Sequence, residues 1–194
     1  MSGAVMGKAR LEAFSDGVIA ILITIMVLEL KVPHGEDFAA LGAALPVLLC
    51  YVMSFLYLGV YWNNHHHMLH TCSRVTAGIL WANLHLLFWL SLIPFATAWM
   101  GENHFAAAPS ALYGAVLLAA AVAYMTLQGR IIASQGADSV LRRAVGTDWK
   151  GKGSMLLYAG AVGLAFAWPR AAQAVYFLVV LIWLVPDRRI EQAL

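Results

Sequence analysis

The chain has 194 residues, of which 62% are hydrophobic and only 11% charged, with a net charge of +2 and a mean hydropathy of +0.76. Soluble domains carry roughly 45–50% apolar and about 25% charged residues, so a water-soluble core is excluded, and disorder with it. The small net charge does not suggest nucleic-acid binding, and seven Trp, seven Tyr and eight Phe suit the interfaces of a polytopic membrane protein.

The segment Met1 to Arg10 is too short and too weakly patterned for a signal peptide. The apolar run after it lacks a small-residue cleavage site and reads as a retained helix. That first run, Phe14 to Leu30, carries Asp16, Thr24 and Glu29. At 100° per residue, Phe14, Gly17, Ile21, Thr24 and Leu28 fall on one stripe, with Ile25 beside it. Ser15 and Asp16 lie more than 100° from Ile21 and face something else. Such a helix has two jobs if the stripe meets symmetry copies around an axis while the polar cluster locks the helix to its own subunit. Alternatively, the stripe is ordinary lipid-facing or packing surface. An ionisable group at membrane depth costs about 2.5–3.5 kcal/mol and is a functional candidate by default. Asp16 is placed to pair with Arg10 or to accept hydrogen bonds from a neighbouring helix; the plainer reading is that both only anchor the helix end.

The second run, Ala39 to Trp62, leads into Trp62-Asn63-Asn64-His65-His66-His67-Met68-Leu69-His70. His66 and His70 have the i,i+4 spacing of metal ligands, but no Cys or carboxylate lies close in sequence to complete a site. The cluster therefore reads as interfacial hydrogen bonding, and no metal is expected. The third run, Val75 to Met100, contains Asn83 and His85, read as buried polar groups that need partners. Asn83 is expected within reach of the Asp16 cluster. The fourth spans about Pro109 to Leu127, and the longest polar stretch, Arg130 to Ser154, follows it. The basic residues of that stretch read as an orientation signal and a contact for lipid headgroups. The fifth and sixth runs, Met155 to Trp168 and Ala171 to Val185, are 14 and 15 residues long and separated by Pro169 and Arg170. They form either two spans or a re-entrant pair. No soluble domain or internal repeat is visible, so residues 1–194 read as a single six-helix transmembrane domain. Cys50 and Cys72, 22 residues and about 33 Å apart along a helix, are not expected to form a disulfide.

Charge favours six spans. With a cytoplasmic N-terminus, the inside segments hold Lys8, Arg10, Arg74, Arg130, Arg142, Arg143, Lys150, Lys152, Arg188 and Arg189. The outside segments hold only Lys31 and Arg170, a bias of ten to two that places both termini in the cytoplasm. Several mechanisms are missing from the sequence. It has no Thr-Val-Gly-Tyr-Gly stretch for a carbonyl filter, no spaced arginines for voltage sensing, and no P-loop, dinucleotide turn or nucleophile elbow. An enzyme is not expected.

The elements Arg10-x-x-x-Phe14-Ser15-Asp16-Gly17 and Leu28-Glu29-Leu30-x-Val32-Pro33 resemble the first helix of prokaryotic members of the transmembrane protein 175 family. These are bacterial relatives of the endolysosomal potassium channel of animals. Further likenesses are Tyr61-Trp62-x-x-His65-His66, Asn83 through Pro94-Phe95-x-Thr97, and the tail Trp183 to Arg189. The resemblance implies an all-α homotetramer of six-helix subunits in the plasma membrane, with the first helix of each lining a central pore. It implies passive passage of potassium and other monovalent cations, with no cofactor. It places the gate at Ile21, with Ile25 and Leu28 further along, and selectivity at Thr24. Arg10, Phe14, Ser15 and Asp16, with His66 and Asn83, then form a supporting polar network. Two rival readings are a proton-coupled transporter or proton leak using Asp16 and the histidines, and a non-conducting scaffold. The relay would need protonatable groups throughout the membrane, and none lies between Asp16 and Glu29.

Overall fold

The computed structural model describes residues 7–35 and 37–184, apart from the side chains of Ala43 and Asp138. Val185, Arg188 and Arg189, which the sequence assigned to the sixth run and to the inside charge, lie outside the described residues. Among those described, all regular secondary structure is helical. The helices are α1 (Lys8–Ile25), α2 (Phe38–His70), α3 (Ala77–Ser91), α4 (Ile93–Glu102), α5 (Ala107–Gln135), α6 (Val140–Val145), α7 (Trp149–Ala167) and α8 (Pro169–Leu184). Four stretches are long and apolar enough to cross a membrane: Lys8–Glu29, Ala44–His70, Ala77–Glu102 and Ala107–Gln135. Pro169–Leu184 is a shorter apolar helix.

Local chemistry explains where these helices start, bend and stop. The Asp37 carboxylate caps α2 by accepting from the Ala40 amide at 3.1 Å, and the Thr76 hydroxyl caps α3 by accepting from the Ile79 amide at 3.3 Å. The third apolar run, continuous in sequence, breaks at Leu92 because Pro94 has no amide proton for the Leu90 carbonyl. The polar stretch after the fourth run is largely helical. α5 continues to Gln135, where Gly136 stops it with φ 68°, and Ser139 and Asp148 cap α6 and α7. Capping by Asp148 starts α7 at Trp149, six residues before the apolar run begins. Leu141, Ala144 and Val145 bury one face of α6, so that basic stretch folds back onto the subunit.

The central element is α5, which packs against α3, α4, α7 and α8. α2 lies along α4 and α8, while α1 rests on α2 and α3 at the edge of the bundle. α7 and α8 form a tight hairpin joined through Trp168, with Pro169 starting α8 where its missing amide proton costs nothing. The core includes four tyrosines, of which Tyr113, Tyr158 and Tyr176 are among the largest fully buried side chains and Tyr57 is 2% exposed. Three of the four hydroxyls have local partners. Tyr57 donates to the Tyr176 carbonyl at 2.6 Å, Tyr176 to the Ser110 carbonyl at 3.1 Å, and Tyr113 pairs with Ser54 at 2.9 Å.

This packing depends on one close approach between α5 and α8. A β-carbon added at Gly114 would sit 2.0 Å from the Tyr176 hydroxyl and 2.6 Å from its ring carbon. Gly114→Ala is therefore expected to destabilise the subunit by about 1–3 kcal/mol through overpacking. Thermal melts of the purified protein check this. Gly114→Ala combined with Tyr176→Phe, which deletes the nearest atom, should recover part of the loss. Full tolerance of Gly114→Ala alone would mean that the α5–α8 contact is looser than it stands here.

Candidate functional site

α1 has two faces of different character. Leu11, Ser15, Ile19, Leu22 and Met26 are buried against the subunit at helical spacing. The opposite face is unpacked: Ile21 is 62% exposed and Leu28 77%, and Phe14, Gly17, Thr24 and Ile25 are also exposed. After Ile25 the backbone tightens into a 3-10 turn over Met26–Glu29. In such a turn, residues three apart eclipse one another, so Leu28 stacks in line with Ile25 rather than drifting round the helix. The free surface of α1 is thus an apolar stripe interrupted by one hydroxyl.

That hydroxyl is oriented. Thr24 Oγ1 donates back to the Ala20 carbonyl at 3.0 Å and lies 3.1 Å from the Ile21 carbonyl. Its single proton is turned inward along the helix. The lone pairs remain as acceptors on the exposed face.

The buried face is held by polar links to α2 and α3. His65 Nε2 meets Asn83 Oδ1 at 2.7 Å, Asn83 Nδ2 donates to Ser15 Oγ at 2.9 Å, and Ser15 donates to the Leu11 carbonyl at 2.9 Å. Because the Asn83 amide donates to Ser15, its oxygen faces His65, and His65 Nε2 carries the proton. Ser15 and Asn83 are 0% exposed and His65 is 1% exposed, so this chain of bonds joins three helices away from solvent. Beside it, the Trp62 indole donates to Asp16 Oδ1 at 3.0 Å. Lys8 Nζ donates to the His70 carbonyl at 2.6 Å and stands 3.8 Å from Glu12. Beyond the other end of α1, Lys31 pairs with Glu102 of α4. The hydrogen bond and the charge of Glu102 hold the Lys31 ammonium above its ordinary pKa.

The structure brings Ser15 and Asn83 together, the proximity expected from sequence, but changes their company. The histidine in the network is His65. His66, read from sequence as part of it, is exposed and stacks on Trp62 instead. The two differ by 100° of helix rotation, and the α2–α3 packing decides between them. Asp16 takes Trp62, 46 residues away, rather than Arg10, His66 or Asn83. Arg10 and Phe14 are exposed on the free side of α1. His85, read as buried, is exposed, and its Nε2 accepts from Trp89 Nε1 at 2.9 Å. Trp62 and His65 were missed as network members. The signal for both was present in the Trp-x-x-His spacing, which puts them on one side of a helix.

The model of the endosomal/lysosomal potassium channel TMEM175 family matches residues 10–94 of this chain. A potassium channel of Chryseobacterium sp. (strain P1-3) is 53% identical over 189 residues, covering 97% of this chain and 98% of that protein. The chain belongs to the TMEM175 family. A potassium channel of Streptomyces collinus is 38% identical to it over 131 residues, 62% of each chain. The fold agrees. The crystal structure of a lysosomal potassium-selective channel TMEM175 homolog from Chamaesiphon minutus superposes with a TM-score of 0.78 at 28% identity. It covers 93% of this chain and 97% of that one. The residues matched by the TMEM175 model include the whole α1 stripe, Asp16 with Trp62, and the Ser15–Asn83–His65 chain. The protein is thus an all-helical, multi-pass membrane channel of a family whose members are not enzymes.

Proposed function

We propose that four copies of this chain surround a central pore lined by α1, through which potassium and other monovalent cations pass passively. The observation that carries this reading is the unpacked stripe of α1. An apolar surface with one oriented hydroxyl, on a helix clamped from behind by buried hydrogen bonds, suits a pore wall held on a rigid support. Six spans per subunit, with α7 and α8 as the last two and both termini cytoplasmic, fit the positive-inside bias of the sequence.

Conduction follows from the chemistry of the stripe. A ring of four Ile21 side chains makes a constriction that dewets when narrow and so excludes hydrated ions. Widening by rotamer change or helix tilt admits partly dehydrated cations. Thr24, three residues further along α1, offers oxygen lone pairs to replace lost water. Ile25 and Leu28, brought into line by the 3-10 turn, extend the apolar wall. Selectivity from hydroxyls and size is weaker than from a full carbonyl cage.

Purified protein in liposomes under an outward potassium gradient tests the proposal. Potassium efflux above that of empty liposomes is expected. Flux of protons alone would support a proton leak, and no flux at all would support a scaffold; either result would sink this reading. The hydroxyl can be tested separately. Thr24→Val keeps the shape and deletes the oxygen on an exposed face, so folding should survive while the potassium-over-sodium permeability ratio drops severalfold. A ratio that holds steady would leave discrimination to the apolar ring alone.

A further inference from the structure

α2 is longer than a membrane requires. Its 33 residues extend about 50 Å at 1.5 Å per residue, against a hydrocarbon core of about 30 Å. The apolar run ends at Trp62, and the histidine-rich end beyond it stays helical to His70. Regular helix there puts His66 and His70 one above the other on a single face. Their rings lie 6.3 Å apart between centroids and within 27° of parallel, and both residues are exposed. On its other side His66 stacks on Trp62, at 6.3 Å and 28°. The indole of Trp62 is bonded in turn to Asp16 of α1.

We infer that His66 and His70 form a chelating site for a divalent late transition metal such as Zn2+, Ni2+ or Cu2+. Neutral imidazoles suit these ions, and Cu2+ should bind most tightly. With metal–nitrogen bonds of about 2.0–2.1 Å, a tetrahedral ion brings two imidazole centroids to roughly 5 Å. The present separation therefore closes by about 1 Å, which side-chain rotation on an exposed face supplies. His65 takes no part, because its Nε2 is committed to Asn83 inside the subunit. His67 meets His66 edge-on at 67° and is turned to a different face. Among the described residues no group of three His, Cys, Asp or Glu converges on one point. Water fills the remaining positions, so the site is open and exchangeable, unlike a closed structural zinc centre. Lys8, bonded to the His70 carbonyl, is a positive neighbour that weakens binding, and Glu12 at 3.8 Å from it offsets part of that charge. The proposal stands apart from the pore reading, since it requires only the geometry of this helix end.

The stacked Trp62 supplies a local probe. The full chain, purified in detergent without a polyhistidine tag, is titrated with Cu2+ while tryptophan fluorescence is read, and with Zn2+ while the melting temperature is read. Saturable quenching and a metal-dependent rise in melting temperature are expected. Trp62→Phe should remove the saturable quenching. His66→Gln and His70→Gln should each weaken the apparent affinity at least tenfold, whereas His67→Gln should stay within twofold of the parent. His70→Gln alters an exposed ring and keeps the metal-free fold measurable, so it carries the test even if His66→Gln assembles poorly. Parent-like metal binding by His70→Gln would overturn the assignment, as would equal loss in His67→Gln or unchanged quenching in Trp62→Phe.

Discussion

Replacing Ile21 by alanine is expected to give a protein that conducts constitutively, with potassium flux into or out of liposomes raised severalfold over the parent. The side chain is 62% exposed on the subunit, so little internal packing is lost. Surface substitutions of this kind usually change stability by no more than about 0.5 kcal/mol. The effect should fall on the proposed ring instead. In the proposed tetramer three carbons leave each of four subunits, so the constriction should widen and admit water, which would remove the barrier to a partly hydrated ion. Discrimination between potassium and sodium should weaken at the same time, because a wider ring demands less dehydration. Flux and permeability ratio are measured on the same reconstituted preparation, with assembly checked by gel filtration. Unchanged flux in a correctly assembled Ile21→Ala protein would move the narrowest ring to Ile25 or Leu28. Those two residues are in line through the 3-10 turn at the end of α1.

The two faces of α1 were legible in the sequence because one period, 100° per residue, separates Ser15 from Ile21 whatever lies around the helix. The long apolar helices were legible for a similar reason, since their composition alone demands burial or lipid. What escaped the sequence depends on contacts between distant segments. Nothing local to His65-His66-His67 says which ring turns inward. That is fixed by the rotation of α2 against α3, set by packing far along both helices. The partner of Asp16 is likewise an indole 46 residues away, and charge reasoning favoured cations and amides over Trp62. His85 looked buried because its neighbours are apolar, yet those on its face, Trp81, Leu84 and Phe88, are exposed as well. In a membrane protein apolar composition does not distinguish lipid from core. The break at Leu92 carried a readable signal in Pro94, but hydropathy runs straight through it. The helical character of the stretch after α5 was hidden by its charge, and only the caps at Ser139 and Asp148 mark its starts.

Asn83 should prove the most sensitive position in the support behind α1. Its amide oxygen faces His65 and its amide nitrogen faces Ser15, so one side chain satisfies two helices from a third. Asn83→Ala removes both partners at once. The stranded His65 N–H costs about 1–3 kcal/mol and the lost bond to Ser15, which keeps its link to the Leu11 carbonyl, about 0.5–1.5 kcal/mol, so the expected loss is about 1.5–4.5 kcal/mol. Ser15→Ala should cost less, since it strands only the Asn83 donor and leaves the bond to His65 in place. Measured together, the two substitutions should be non-additive by about 0.5–3 kcal/mol, as residues sharing one network are. Asp16→Ala breaks a charged hydrogen bond to Trp62, worth about 1.5–3 kcal/mol. Asp16 is only half-buried, so this loss should fall below that of Asn83→Ala, and Asp16→Asn should be milder again. Melting temperature and oligomer yield report stability, while the potassium-over-sodium ratio of whatever assembles reports the pore. The support reading requires that Asn83→Ala and Asp16→Ala lower the first two and leave the ratio nearly constant. If either variant assembles with normal stability but a changed cation preference, the residue belongs to the permeation path, and the division of α1 into a clamped face and a conducting face fails.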